Sequence, residues 1–138
     1  MKQKQYWLLK SEPETYPLAQ LKKEKKTAWT GVRNYQARNY MLQMRVGDLC
    51  VFYHSGDEKA CVGVVKVVSK PYPDQDEPVW AVVDVAYVKT FKNPVTLATI
   101  KADKHLAGMA LIKAARLSVQ PVSEKHFERL LKLSSGKE

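Results

Sequence analysis

The sequence predicts an α+β domain in which about five or six strands curl into a small, partly closed mixed barrel, with short helices inserted between them. Three observations carry this. Apolar runs of strand length recur along the chain. The helical patterns between them are too short for a bundle. One run, VWAVVDVAYVKTF, is apolar on both faces for much of its length, as a central strand or barrel wall would be.

The elements follow in chain order. QYWLLK, residues 5–10, reads as a first strand, and Pro13 and Pro17 bracket an extended turn. LAQLKKEKK is a short helix with Leu18 and Leu21 turned inward, and its tail carries Lys22, Lys23, Lys25 and Lys26. After Gly31, the apolar residues Ala37, Tyr40, Met41 and Met44 recur at i, i+3, i+4, i+7, which predicts a helix capped near Asn34 and finished by Gly47. Asp48 opens the strand DLCVFYHS, SGDEK turns, and ACVGVVKVV returns as the second arm of a hairpin. Gly63 inside that arm signals a bulge or a close backbone approach. PYPDQDEP is an acidic, proline-rich loop, followed by the long strand. NPVTLATIKADKHLAGMALIKAA holds two short helices separated near Asp103, and RLSVQPV is a strand ended by Pro121. SEKHFERLLKL is an amphipathic helix capped by Ser123, with Val122 and Phe127 at the spacing of a hydrophobic staple; SSGKE should fray.

Composition bounds the function. The 138 residues suit one domain spanning 1–138, and 45% hydrophobic content supplies a core. No apolar run is long enough for a membrane helix, and MKQKQYWLLK lacks the features of a signal peptide. A cytoplasmic location, or a nuclear one in a eukaryote, is expected, with no membrane partner and a monomeric state. Cys50 and Cys61 lie in strand-like runs without a CxxC or Cys/His cluster, so no metal site or cofactor is expected and both thiols read as reduced core residues. They are candidate neighbours across the hairpin, but the compartment argues against a bridge. The net charge of +9 favours a polyanionic partner, although mere solubility gives the same sign.

Four polar clusters interrupt the apolar pattern: Lys10-Ser11-Glu12-Pro13, the stretch TGVRNYQARN after Trp29, Tyr53-His54-Ser55, and the set Arg116, Ser118 and Gln120 on one face of a strand. Each has a plain structural reading. Lys10 and Glu12 make a surface pair, Trp29 is core, Tyr53 packs under a loop, His54 is a hydrogen-bonded structural histidine, and Arg116 braces a helix. Their common placement at strand ends or first helical turns favours a pocket. The residue types suit an unstacked nucleobase. Trp29 and Tyr53 cover a π face, Asn34 and Ser11 meet the edge, and Arg33 holds a flanking phosphate.

The blocks YWLLKSEP, W-x-GVRNYQARN, GD-x-x-x-FYHS and RLSVQPV resemble the signature of the EVE domain family over about residues 5–133. The resemblance implies a PUA-like pseudobarrel with peripheral helices, akin to the YTH, ASCH and SRA-type base readers. It also implies binding rather than catalysis. The implied ligand is a modified base, a 5-substituted cytosine in DNA or a modified nucleotide in RNA, flipped into a pocket. Carried onto this chain, the pocket positions are Lys10, Ser11, Glu12, Pro13, Trp29, Val32, Asn34, Tyr35, Gln36, Tyr53, His54, Ser55, Arg116, Ser118, Gln120 and Pro121. Phosphates would be held by Lys22, Lys23, Lys25, Lys26, Arg33, Arg38 and Asn39. Leu42, where a basic residue is common, and Phe127, where Trp is usual, depart from the pattern.

Two other functions fit less well. A small hydrolase on a modified nucleoside would draw on Lys10, Ser11, Glu12 and His54. The first three are consecutive on an extended segment, where neighbours point apart, and no nucleophile motif surrounds Ser11. A protein-interaction scaffold would bind no nucleic acid at physiological salt.

Overall fold

Alternation within the strands sorts the side chains into two cores, one on each side of a single mixed sheet. The structure, a computed structural model, describes residues 4–114 and 116–136. β1 (Tyr6–Ser11) lies between β3 (Leu49–His54), parallel to it, and β7 (Val119–Val122), antiparallel. β4 (Ala60–Val67) forms the hairpin with β3 and pairs in turn with β6 (Ala81–Thr96). β2 (Lys26–Trp29) and the two-residue β5 (Tyr72–Pro73) also pair with β6. The sheet order is β2-β6-β4-β3-β1-β7, with β5 beside β6. The expected α+β barrel therefore has seven strands rather than five or six. The additions are the short β2 and β5, and β2 begins inside the lysine-rich tail that reads as helix.

Trp7, Leu9, Trp29, Phe52, Val65, Val83 and Val119 share the first core with Ala37 and Met41 of α2 (Tyr35–Met41). This helix contacts both β6 and β7, so it packs across the side where the strand order leaves β2 and β7 unpaired. The second core takes the alternate residues Leu8, Val51, Tyr53, Cys61 and Val64. It is covered by α3 (Leu97–Ala102), a 3-10 turn at Lys104–Leu106, α4 (Ala110–Lys113) and α5 (Glu124–Ser134).

Local chemistry explains the boundaries. α1 (Leu18–Glu24) buries Leu18 and Leu21 and stops at Lys25, whose φ is +74°. The Asn34 side chain accepts the Ala37 N–H at 2.9 Å and so caps α2. Ser123 caps α5 by accepting the His126 N–H, and Val122 and Phe127 meet in the second core. Asp103 does separate helices, but there are three short helical elements rather than two, the extra one being the 3-10 turn at Lys104–Leu106, and the N-terminal part of that stretch (93–96) continues β6. Gly63 satisfies both readings of it: the β4 register shifts there, and a Cβ would collide with the Lys89 carbonyl oxygen and Leu18. The strand expected at 116–122 begins only at Val119, so Arg116 lies in the turn before it, and it ends at Val122 rather than Pro121. Of SSGKE, Ser134 ends α5, and the last two residues lie outside the described set.

The cysteines are buried and free, but they are not neighbours. Cys50 faces the first core opposite Val65 and Cys61 the second opposite Tyr53. Burial pushes the Cys61 thiol up to about 12 and raises that of Cys50 further. Asp48, which opens β3, is buried and receives N–H groups from Gln5, Trp7 Nε1 and Arg45 at 3.0–3.1 Å. That pins the start of β1 to the start of β3.

Candidate nucleic-acid interface

The C-terminal end of β1, the turn after it, the end of β2 and the approach to β7 converge on a pocket of about 430 Å³. That volume is in the range of small-molecule sites. Lys10, Ser11 and Glu12 form one wall, Thr15 and Tyr16 a second, and residues 27–33 a third, with Ser118 closing the set. The pocket thus lies at the seam where β2 and β7 do not pair.

Each wall has a physical cause. The β1 end is held in place because the Ser55 N–H donates to the Ser11 carbonyl and the Lys10 N–H to the Ser118 carbonyl. The Ser11 hydroxyl donates to the Tyr16 carbonyl at 2.6 Å, which folds the 12–16 turn back over the strand end. Tyr16 OH reaches Glu24 at 2.5 Å; burial, followed by that carboxylate, raises the phenol's pKa, and the bond holds Glu24 below the usual range. Trp29 as a residue is 9% exposed, and its ring lies edge-on to Tyr16 at 6.1 Å and to Phe52 at 5.6 Å. Among the described residues no ring stacks parallel on it, and its indole N–H has no hydrogen-bond partner. Both readings of Trp29 therefore meet in one residue: it is core, and it is also pocket wall. Lys10 is partly buried, which lowers its pKa, and its ammonium lies 5.8 Å from the centre of the Tyr53 ring.

Of the expected pocket residues, Lys10, Ser11, Glu12, Trp29, Val32 and Ser118 share this cavity. The others lie elsewhere. Tyr53 points from the opposite face of β3 into the second core, because the period of two separates it from Phe52 and His54. His54 is structural: Nε2 accepts the Leu18 N–H at 3.1 Å and Nδ1 meets Glu58 at 2.7 Å. An Nε2 that accepts is unprotonated, so the proton sits on Nδ1 and faces the carboxylate. This tethers the start of α1. Ser55 takes part through its backbone alone. Pro13 lies in the 12–16 turn and Pro121 on the exposed side of β7, both outside the pocket. Asn34, Gln36 and Arg116 line a separate, shallower hollow with Ala114 and Leu117. Gln120 is fully buried, its amide donating to the Ala114 and Leu117 carbonyls and its Oε1 without a partner among the described residues.

The expected phosphate contacts divide. Lys22, Lys23, Lys25 and Lys26 are exposed beside the start of β2, with Lys22 over the Tyr87 ring at 5.9 Å. Arg33 lines the pocket but is engaged: it pairs with Glu77 at 3.0 Å and Asp74 at 3.5 Å. Backbone N–H groups of Asp76 and Glu77, with Arg33 behind them, hold the Asp74 carboxyl below its ordinary range. Arg38 lies over Tyr35, Tyr35 packs on Trp80 at 4.8 Å, and Arg33 lies over Trp80. Tyr35 therefore belongs to a guanidinium–aromatic stack tying α2 to the acidic loop, and Arg38 and its partner Asn39 belong with it. Thr15, Tyr16, Thr27 and Ala28 also line the pocket without being among the expected positions, and Thr30 and Gly31 line it from the start of the TGVRNYQARN cluster. Thr27 and Ala28 give no signal because the helical pattern LAQLKKEKK ends at Lys26 and leaves them without an element, and Tyr16 falls in a turn that reads as a connector.

Among the described residues no His/Cys/Asp/Glu group is placed to hold a metal ion, and no helix is long and apolar enough to cross a membrane.

Comparison with known proteins gives consistent matches. The model of the EVE domain matches residues 5–133. The chain is 36% identical to thymocyte nuclear protein 1 of Gallus gallus, covering 96% of this chain and 69% of that one. Against the Homo sapiens protein the identity is 35%, with 93% and 73% covered. The structure of human THYN1 protein in complex with DNA containing 5-methylcytosine superposes with a TM-score of 0.89 at 33% identity, covering 97% and 99% of the two chains. A Rhodopseudomonas palustris protein reaches 0.91 at 40% identity, covering 97% and 95%. An ASCH protein of Zymomonas mobilis, at 9% identity and 0.59, shares the fold alone.

Proposed function

The chain belongs to the EVE domain family, and on that premise we propose that it is a non-catalytic nucleic-acid-binding module that takes one modified base, flipped from its stack, into the seam pocket. The observation that carries the reading is the convergence of an unstacked indole, Trp29, with hydroxyls and a lysine at one strand end. The human relative solved with 5-methylcytosine-containing DNA suggests a 5-substituted cytosine as the first ligand to try.

In this reading Trp29 stacks on the base, a contribution of about 1–3 kcal/mol. Ser11, Ser118 and the pocket threonines meet polar groups of the base and its sugar. Lys10 and the lysines at 22, 23, 25 and 26 neutralise the flanking phosphates, in keeping with the net charge of +9. The test is binding of paired duplex oligonucleotides, one carrying 5-methylcytosine and the other cytosine, at several salt concentrations. A preference for the modified strand supports the proposal; equal affinity sinks the specificity claim. Neutralising the four lysines should weaken binding to both strands alike and flatten the salt dependence.

Hydrolysis is disfavoured because His54, the one imidazole near the strand ends, is occupied on both nitrogens. Turnover of an alkylated or acylated nucleoside that disappears in Glu12→Gln would reverse that judgement.

A further inference from the structure

β2 is a terminal strand, and its register leaves one unit of backbone in the pocket wall with both polar groups turned away from the sheet. Lys26, Thr27, Ala28 and Trp29 stand opposite Ala86, Val85, Asp84 and Val83. In an antiparallel ladder, facing residues alternate between pairs that exchange both N–H···O bonds and pairs that exchange none. The Tyr87 N–H donates to the Lys25 carbonyl at 2.9 Å, which fixes the phase. Lys25, Thr27 and Trp29 turn toward β6, and Lys26 and Ala28 turn away. The other side of β6 agrees. The Asp84 N–H goes to Ser69 Oγ and its carbonyl accepts the Val68 N–H, both at 2.9 Å, so neither is offered to Ala28. Among the described residues Ala28 N–H and C=O have no partner, and Ala28 lines the pocket.

We propose that the Ala28 backbone reads the hydrogen-bonding edge of the bound heterocycle, the N–H donating to a ring acceptor and the C=O accepting from the neighbouring donor. This rests on the base-reader proposal and narrows its ligand. The ligand class is a nucleobase with a ring nitrogen acceptor beside an exocyclic amino group, such as N3 and N4 of cytosine. A C5 substituent lies off that edge and leaves the pairing intact, whereas alkylation at N3 abolishes it. Strand addition by a peptide is poorly served, since β2 has four residues and only two of them face outward.

Ala28→Pro removes the donor alone. Proline suits an outward-facing edge position, and this fold already has one, Pro121 opposite Trp7 on β7. Thr27 before it is extended, as a residue preceding proline must be. The expected result is a loss of at least tenfold in affinity for the 5-methylcytosine duplex in Ala28→Pro, with less than threefold in Ala28→Val, which keeps the N–H. Wild-type affinity in a folded Ala28→Pro overturns the inference. If that variant fails to fold, amide exchange of wild-type Ala28 decides. Slowing by tenfold or more in the saturated complex supports the reading, and unchanged exchange overturns it. Wild type that does not prefer 5-methylcytosine over cytosine removes the base-reader proposal, and this inference with it. Wild type that prefers it while Ala28 is silent removes only this inference.

Discussion

Truncation of Trp29 tests the base-stacking role, but its magnitude has two parts that must be separated. The residue is 9% exposed and its ring packs on Tyr16 and Phe52, so Trp29→Ala opens a core cavity worth about 3–5 kcal/mol of folding stability. Against a typical total of about 5–15 kcal/mol, that loss alone could unfold the protein. The stacking part is about 1–3 kcal/mol, or roughly five- to 150-fold in affinity. Trp29→Phe separates the two. It keeps an aromatic ring against Phe52 and gives up part of the stacking area. The assay is fluorescence anisotropy on 5-methylcytosine and cytosine duplexes, with urea midpoints giving the folded fraction. The affinity for the modified duplex should fall in the order wild type, Phe, Ala, while the electrostatic contribution common to both duplexes stays constant. If the ratio of the two affinities is the same in all three folded proteins, Trp29 is a core residue only and the pocket assignment fails.

Three other perturbations have defined outcomes. Asp74→Asn with Glu77→Gln frees Arg33 from its acidic partners; binding should tighten for every sequence, and the log–log salt slope should steepen by about 0.7–0.9 if Arg33 then takes one phosphate. An unchanged slope means that Arg33 does not reach the backbone. Gly63→Ala places a methyl against the Lys89 carbonyl, which cannot retreat without disturbing the β4–β6 ladder; a loss of about 1–3 kcal/mol is expected by urea unfolding. Asp103, bonded by Arg129 at 2.6 Å, has its pKa depressed below 3.8 chiefly by that bond. Its contribution is therefore complete above pH 3.8 and lost as pH falls through the lower folded value. In Asp103→Asn the melting temperature should depend less steeply on pH below 3.8 than in wild type.

What the sequence made legible was whatever local chemistry determines. Asn34 and Ser123 cap the helices they were expected to cap, and the stripe through Ala37 and Met41 faces the core. Gly63 marks a bulge and a close approach because no side chain fits. β2 was hidden because KTAW follows a helix without an intervening breaker, and Lys25 alone, at positive φ, turns the chain. Only its pairing with β6, 58 residues away in register at Thr27–Val85 with Val85 itself buried, makes it a strand.

The same distinction separates the pocket residues that were anticipated from those that were not. Motif blocks run along the chain, whereas a pocket samples one side of each segment. Tyr53, His54 and Ser55 are consecutive, yet one enters the second core, one tethers α1 through its ring, and one supplies a backbone amide. A block shared for structural reasons therefore looks identical in sequence to one shared for recognition. His54 and Asp48 show the structural case: both use side-chain atoms on neighbouring backbone N–H groups, His54 to hold the start of α1 at the end of β3 and Asp48 to pin the opposite end, where β1 and β3 begin. Ala28 is the reverse. Its side chain carries no chemical signal, and its place in the pocket follows only from which side of a four-residue strand lacks a neighbour. Recognition through a strand edge leaves no residue-type signature, so register must be known before such a position can be assigned at all.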